Sequence, residues 1–315
     1  MIKLQTQLPL TTSSTPFGYD DTLLLLGSCF SENIGDKLDY YKFQSVTNPF
    51  GIIFNPIALE RLIQDAIDDK TYTEIDVFEL DGIWKSYYAH SDKNALSRLG
   101  AVIHLQEAQQ LLRAQLKSAS HLFITLGTAW VYRHLERDEV VANCHKVPQK
   151  EFAKELLSID DIVQSLSSIL KLVRNFNPDI HITFTVSPVR HIKDGFVENT
   201  RSKSHLISAI HELVDKSAIS YFPSYEIMMD ELRDYRFYGS DMIHPSAQAV
   251  DYIWERFVEV YAFAKAQQTM KQVSKVQQGI THKPFNAEGE QHQKFLTRLD
   301  SQKERLLQEF PWMRF

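Results

Sequence analysis

Short apolar runs that end in small or turn-forming residues recur along the chain. Runs of this length, without strict alternation of polar positions, are typical of strands buried on both faces of a parallel sheet. The pattern predicts strands at Thr22–Leu26, Phe43–Thr47, His121–Leu126, His181–Val186 and Ser220–Pro223.

Between these runs, apolar residues recur three or four positions apart, which predicts amphipathic helices. The clearest helical segments are Pro56–Asp68, Leu105–Ser118, Ile159–Phe176 and Ser202–Lys216. Strands that alternate with helices favour a parallel sheet covered on both faces. The expected fold class is therefore α/β: a three-layer α/β/α, doubly wound domain around a mostly parallel sheet of about five strands.

One segment departs from this alternation of strands and helices. Val77–His90 partly alternates apolar and polar residues around Asp81-Gly82, which is a hairpin signal. We predict a small hairpin insertion at about residues 73–98, near the mouth of the site.

The helical pattern of Ala247–Ala264 closes the main domain. It begins just after Pro245, and proline is favoured at a helix start because its missing N–H would be unpaired there. After Lys265 the composition shifts to Gln, Lys and Glu, so we divide the chain into a main domain of residues 1–265 and a C-terminal helical extension of residues 266–315. We expect residues 288–315 to be helical and to dock through Leu296, Leu299, Leu306 and the last six residues.

Composition and charge narrow the possible partners. The 315 residues are 43% hydrophobic, which is enough for a sizeable core, and the net charge of −6 disfavours a nucleic-acid partner. Two cysteines are too few for a secreted disulfide framework, and no signal-peptide pattern opens the chain. The run Leu23–Leu26 is too short to cross a bilayer. We expect a cytoplasmic protein without a membrane span; the sequence gives no oligomeric state.

The first candidate site is Gly27-Ser28-Cys29, which follows the first predicted strand and precedes a helical pattern. In open α/β sheets, ligands bind beyond the carboxyl ends of the strands. The positive end of the helix and its free N–H groups favour a thiolate, so we expect a lowered pKa for Cys29. The alternative is that Cys29 fills a gap in the core, as free cysteines commonly do.

The second candidate is the Asp241-x-x-His244 segment, between the last predicted strand and the helix at Ala247–Ala264. A carboxylate three residues before a histidine can accept a hydrogen bond from one imidazole nitrogen. The other nitrogen is then left to act as a base, as in a catalytic triad. The alternative is an ordinary turn aspartate with a histidine near a helix start.

Together the two segments resemble the SGNH hydrolases, which carry a Gly-Asp-Ser-Leu motif after their first strand and Asp-x-x-His near their end. Without gaps, Gly27, Ser28, Cys29 and Phe30 match that opening motif. The chain is more closely similar to the GSCFA family, whose motif reads Gly-Ser-Cys-Phe-Ser here, with Ser31 in the last place. Residues 48–56, 126–132, 143–148 and 187–191 also resemble that family.

The resemblance covers about residues 20 to 262 and implies an SGNH (flavodoxin-like) fold with Cys29 as the nucleophile, His244 as its base and Asp241 as the group that orients the base. Ser28 is the alternative nucleophile. The alignment and the alternation of side chains in an extended segment favour Cys29.

The oxyanion site implied by the resemblance is incomplete. The backbone N–H groups of Cys29 and Gly51 are its expected donors. SGNH hydrolases supply a further donor from an asparagine after a glycine, but here Gly127-Thr128 is followed by alanine. Asn143 is the candidate replacement, and a missing donor costs about 3 kcal/mol of transition-state stabilisation.

Further polar residues complete the candidate list. Arg190 and His191 follow a predicted strand, and Arg suits a carboxylate or phosphate group of a substrate. His145 is a candidate substrate contact; Cys144 and His145 with Cys29 would make only an incomplete metal site, so we expect no metal. In the inserted hairpin, His90, Trp84, Tyr87 and Tyr88 either line the pocket or pack within the hairpin.

We therefore expect an SGNH-like hydrolase or acyltransferase that acts on an acyl or acetyl ester, with a carbohydrate ester as the candidate substrate and no cofactor. Two alternatives remain open. One is a module that binds a glycan or an acyl group without turnover, which the incomplete oxyanion site favours. The other is a thiol redox protein, which requires Cys29 and Cys144 to have Cα atoms within about 7 Å.

Overall fold

The computed structural model describes residues 5–214 and 219–315. Within these ranges the strands are β1 (Thr22–Gly27), β2 (Gln44–Thr47), β3 (Phe78–Leu80), β4 (Ile83–Lys85), β5 (His121–Leu126), β6 (Trp130–His134), β7 (Glu139–Val140), β8 (Phe152–Leu156), β9 (His181–Val186) and β10 (Ser220–Phe222).

Helices cover the strands in the same ranges. They are α1 (Cys29–Tyr40), α2 (Pro56–Ile67), α3 (Arg98–Ser118), α4 (Ile159–Phe176), α5 (Phe196–Val214), α6 (Ser224–Glu226), α7 (Ala247–Tyr261), α8 (Ala264–Thr281) and α9 (Glu290–Glu309). A π-helical turn, Ile227–Glu231, continues α6.

The central sheet has five strands in the order β10-β9-β5-β1-β2, and all of its pairings are parallel. These are the strands that the apolar runs predict, and their bounds agree to within one residue. Successive side chains of β1 point to opposite faces of the sheet. Leu24 and Leu26 belong to one core cluster, and Leu23 and Leu25 belong to the other. This confirms the predicted three-layer α/β fold.

The strand order places a topological switch point between β1 and β5. From β1 the chain goes to β2 on one side, then crosses over and adds β5, β9 and β10 on the other. A crevice opens at the carboxyl ends of the two strands where such a reversal occurs. Cys29 follows β1 and Gly127 follows β5, so both candidate segments lie at this crevice.

Four helix bounds differ from the prediction by three residues or more. The C-terminal helix, expected over residues 288–315, ends at Glu309, and the last six residues are not helical. α3 begins at Arg98, where the Ser97 side chain caps the N–H of Gly100, and α5 begins at Phe196. The predicted end of α5, Lys216, lies outside the described residues. α7 ends at Tyr261 because Ala262 bridges to Phe17 in extended conformation, and a separate helix, α8, then begins.

The predicted hairpin is present as β3 and β4, joined through Asp81 and Gly82 with φ of 55° and 71°. Positive φ at both central residues is the geometry of a tight hairpin turn. A second small sheet, β7-β6-β8, is antiparallel and was not predicted. Its strands are short and rich in charged residues, so no apolar run marks them.

The C-terminal extension packs against the face of the sheet that α1 and α7 cover. Leu299, Leu306, Phe310 and Met313 are buried in that core cluster, whereas Leu296 is only half-buried. None of the helices in the two described ranges is long and apolar enough to cross a membrane.

Candidate functional site

The turn after β1 distinguishes Ser28 from Cys29. Gly27 has φ of 132°, and a Cβ there would lie 2.1 Å from the Thr125 carbonyl oxygen, so only glycine fits. Ser28 is 1% exposed and is the N-cap of α1, because its Oγ accepts the Phe30 N–H at 3.2 Å. Cys29 is the first helical residue and is partly exposed. Of the two candidate nucleophiles, Cys29 is therefore the accessible one.

We predict that Ser28→Ala lowers the free energy of unfolding by about 1 kcal/mol, the usual cost of losing a helix N-cap. Urea unfolding of the variant measures this directly. Ser158→Ala is a matched control, since the Ser158 side chain caps α4 without lining the cleft and its loss should cost a similar amount. An unchanged stability in Ser28→Ala would contradict the capping role.

The thiol of Cys29 has a raised pKa, not the lowered one that the helix start predicts. Burial is the main cause, and the nearby Glu32 carboxylate raises the pKa further. The N–H groups of Cys29 and Phe30 and the charge of Lys203 do lower it, as a helix start should, but they do not offset the burial.

Asp241 and His244 meet as their spacing predicts. His244 Nδ1 donates to Asp241 Oδ2 at 2.7 Å, and the backbone N–H groups of Ile243 and His244 donate to Oδ1. These bonds, the one from His244 first, lower the pKa of Asp241 to about 2. The side chains are 46% and 52% exposed, and in the described ranges His244 Nε2 has no hydrogen-bond partner.

Arg190 holds this turn, and it also lines a pocket of about 300 Å³ that is separate from the cleft beside His191. Its backbone N–H donates to Ile243 and its guanidinium donates to the Met242 carbonyl at 3.1 Å. The guanidinium lies over the rings of Phe196 and Tyr238. Arg190 thus fixes the Asp241–His244 turn to the segment that follows β9.

Lys203 is a site residue that the sequence analysis missed. It is 1% exposed, and its Nζ donates at 2.8 Å to the carbonyls of Gly127 and Ser187, at the ends of β5 and β9. The signal was available: Asn199, Lys203 and Leu206 share one helix face, so a lysine falls in an otherwise buried stripe.

Charge interactions link Cys29 to His244 through two other side chains, Lys203 and His191. Lys203 interacts with Cys29, and it also interacts with His191, which in turn interacts with His244. Burial, Lys203 and His244 together lower the pKa of His191 to about 3, so its imidazole is neutral. His191 Nε2 is buried without a hydrogen-bond partner among the described residues.

A cleft of about 480 Å³ opens beside His191. Its lining combines aromatic rings with amide, hydroxyl, imidazole and charged groups, and includes Thr128, Trp130, Tyr132, Asn143, Gln149, His191, Lys193 and Asp194. Cys29 and His244 are not among the residues that line it; His191, which interacts with His244, is. A concave surface that combines aromatic with polar side chains is found at small-molecule sites.

The N–H group of Gly51, an expected oxyanion donor, and that of Gly127, another candidate site residue, are already bonded within the protein. The Gly51 N–H donates to the Asn48 carbonyl at 2.7 Å in a tight turn, so it is not available to a substrate. The Gly127 N–H donates to the Phe54 carbonyl at 2.8 Å. The Thr128 hydroxyl lines the cleft but bonds Ser202 and the Trp130 N–H. In this conformation the two glycine N–H groups are therefore not free donors, and the Thr128 hydroxyl is held by its contacts with Ser202 and Trp130.

Asn143 keeps a free donor. Its Oδ1 accepts the His145 N–H at 2.8 Å, while its Nδ2 has no partner in the part of the chain that the structure describes. His145 itself is 5% exposed, and its Nε2 bonds the carbonyls of Ser86 and Ala89, so it ties the inserted hairpin to this loop.

The remaining candidates divide between cleft and core. His90 lines the cleft and lies 3.3 Å from the Asp92 carboxylate. Tyr87 stacks on Phe78 and also contacts Phe152 of the second small sheet, and Tyr88 is buried in the main core beside Tyr72, so these rings anchor the insertion to the rest of the domain. Trp84 carries the guanidinium of Arg98 on its ring.

Both cysteines are free thiols. Burial raises the pKa of Cys144 to about 11, and Lys193 is the charge that acts on it, whereas Glu32 and Lys203 act on Cys29. Across residues 5–214 and 219–315, no three His, Cys, Asp or Glu side chains gather as metal ligands.

Comparisons with known proteins match most of the chain to family models. A model of the GSCFA family matches residues 22–257, and a model described as the GSCFA domain protein, C-terminal domain, matches residues 273–315. No curated protein matches the chain.

The chain is also similar to solved structures, among them two esterases. A carbohydrate esterase family 3 protein from Talaromyces cellulolyticus is 9% identical with a TM-score of 0.36, covering 80% of this chain and 98% of its own. An acetyl xylan esterase from the rumen bacterium Butyrivibrio proteoclasticus is 12% identical with a TM-score of 0.33, covering 76% and 63%.

Proposed function

The chain belongs to the GSCFA family, and from that premise we propose that it is an SGNH-like enzyme that cleaves or transfers acyl esters through Cys29. The observation that carries the proposal is the hydrogen bond of 2.7 Å between His244 Nδ1 and Asp241 Oδ2, which leaves Nε2 free. A carboxylate that fixes the imidazole in this way prepares the second nitrogen to accept a proton from a nucleophile.

The proposed reaction has two steps. In the first, Cys29 Sγ attacks the acyl carbonyl as its proton passes to His244 Nε2, and the alcohol then leaves with that proton, giving an acyl thioester. In the second, water or another alcohol attacks the thioester carbonyl, loses its proton to His244, and Sγ regains the proton as it leaves. Water gives hydrolysis and an alcohol gives transfer.

Oxyanion stabilisation rests on helix geometry. Cys29 is the first residue of α1, and the first N–H groups of a helix have no partner within it. The Cys29 N–H can therefore donate to the developing oxyanion, together with the positive end of the helix. We assign the second donor to Asn143 Nδ2, which replaces the asparagine absent after Gly127.

The cleft supports a carbohydrate ester as the substrate. Trp130 and Tyr132 offer ring faces, and Asn143 and Gln149 offer amide groups that pair with hydroxyls. A second candidate function, glycan or acyl-group binding without turnover, draws on different observations: the N–H groups of Gly51 and Gly127 are already bonded, and the pKa of Cys29 is raised.

We expect a covalent acyl adduct on Cys29 when the protein is incubated with an activated acetyl ester such as p-nitrophenyl acetate. Intact-mass spectra should show a gain of one acetyl group, and peptide mapping should place it on Cys29. Cys144→Ala is the matched control because it removes the other thiol and should keep the adduct. If the protein forms no adduct and turns over no acyl ester, glycan or acyl-group binding without turnover becomes the better account.

A further inference from the structure

Lys203 has an unusual position for a lysine. Its ammonium is fully buried on α5 at the end of the sheet, and two backbone carbonyls, those of Gly127 and Ser187, are its hydrogen-bond acceptors. An ammonium has three donors, so these carbonyls use two of them. Burying an unpaired charge is costly, which is why buried lysines are ordinarily paired with a carboxylate.

No carboxylate in the described ranges accepts a hydrogen bond from the Lys203 ammonium. β1 and β5 are parallel neighbours with Gly27 opposite Thr125, so Cys29, two residues after Gly27, and Gly127, two residues after Thr125 and bonded to Lys203, leave the sheet at the same edge. The acidic group whose charge acts on Lys203 there is the thiol of Cys29, and the influence is mutual. The ring of Tyr225, on α6, lies 5.8 Å from Nζ and offers only its π face. Cys29 is therefore the one described acid placed to balance the ammonium.

We infer that Lys203 is the counter-ion of the Cys29 thiolate. When the thiol loses its proton, the buried ammonium stabilises the negative charge that forms on sulfur, and the sulfur supplies the anion that the ammonium lacks. Lys203 is thus a positioning residue for the nucleophile, held in place by the carbonyls of Gly127 and Ser187. Its role in catalysis rests on the proposed function, but the ion pair itself does not.

Other titratable groups face this pair, and each has a defined effect. Glu32, on the first turn of α1, opposes the thiolate. His191 faces Lys203 from the segment after β9 and is neutral, because its pKa is about 3. The charge of His244 acts on His191, and through His191 it can influence the pair formed by Lys203 and Cys29. Burial lowers the pKa of Lys203 itself to about 7, so its charge is lost near neutrality.

The test is the rate at which iodoacetamide alkylates Cys29, measured from about pH 5.5 to about pH 9 in the native protein and in Lys203→Met. The Lys203 charge lowers the pKa of the Cys29 thiol, so without it less thiolate forms and the variant should react on the order of tenfold more slowly below about pH 7. The two rates should converge above that pH, where Lys203 has lost its proton. Alkylation of Cys144 is the internal reference and should not change.

Lys203→Gln separates charge from structure, because glutamine keeps N–H donors for the two carbonyls but carries no charge. It should behave like Lys203→Met. Repeating the series in a His244→Ala background removes the imidazole that could also supply a charge, and the convergence should persist.

A ratio of rates that does not vary with pH, an equal change at Cys144, or native-like rates in Lys203→Gln would overturn the inference. Alkylation does not depend on ester turnover. The alkylation series can therefore contradict the ion pair while the turnover assays support the esterase, and the opposite result is equally possible.

Discussion

Cys29→Ala and His244→Ala should each lower turnover of p-nitrophenyl acetate by on the order of a thousandfold or more, because groups that act as one unit fail together. For the same reason the double variant should be scarcely worse than either single variant. Asp241→Asn should be impaired less severely, since it disturbs the tautomer that the 2.7 Å bond fixes without removing the imidazole. Initial rates at saturating ester measure all four variants.

Two further variants identify the attacking atom. Cys29→Ser should retain little activity, because a site arranged for a thiol has no base strong enough for a serine hydroxyl. Ser28→Ala should keep most of the turnover, since Ser28 is buried as a helix cap. Severe loss in Ser28→Ala with mild loss in Cys29→Ala would move the nucleophile to Ser28, and additive losses in the double variant would mean that Cys29 and His244 do not act together.

The sheet was predictable because its strands are buried on both faces. Every residue of β5 is buried, so the strand appears in the sequence as a mostly apolar run, with His121 at its start and Thr125 as the polar exception inside it. The strands of the small β7-β6-β8 sheet have two to five residues and mix apolar with charged positions. Their pairing depends on contacts between segments distant in sequence, which periodicity does not record.

The site was predictable where local geometry decides it. Asp241 and His244 are three residues apart in a turn, so their contact is a property of the segment itself. The raised pKa of Cys29 and the occupied N–H of Gly51 were not predictable, because one depends on burial by the whole fold and the other on a turn closed by Asn48. Lys203 was predictable in part. The sequence shows that it falls on the buried face of a helix, but it does not show the two carbonyl groups to which its ammonium donates.

Lys203→Met should change stability in opposite directions at low and high pH. Burial lowers the pKa of Lys203 to about 7, whereas an exposed lysine in the unfolded chain titrates near about 10.4. Between these values the unfolded state binds the extra proton, so the native protein gains stability as pH rises through this window. At about pH 7 the buried lysine therefore costs the native protein about 4 kcal/mol, and at about pH 10 most of that cost has gone.

Methionine removes this cost but leaves the carbonyls of Gly127 and Ser187 without a donor, which costs about 1 kcal/mol or more for each. The variant should thus be more stable than the native protein at about pH 7 and less stable at about pH 10, a change of about 4 kcal/mol in the difference between them. Urea unfolding at a series of pH values measures this change, and the effects of the raised tyrosine pKa values cancel because both proteins share them.

Lys150→Met is the control. The side chain of Lys150 is 81% exposed, so the difference in stability between this variant and the native protein should stay nearly constant with pH. A Lys203→Met difference that is equally flat would mean that the native protein keeps Lys203 charged at no cost, and hence that an anion such as the Cys29 thiolate already compensates it throughout this range.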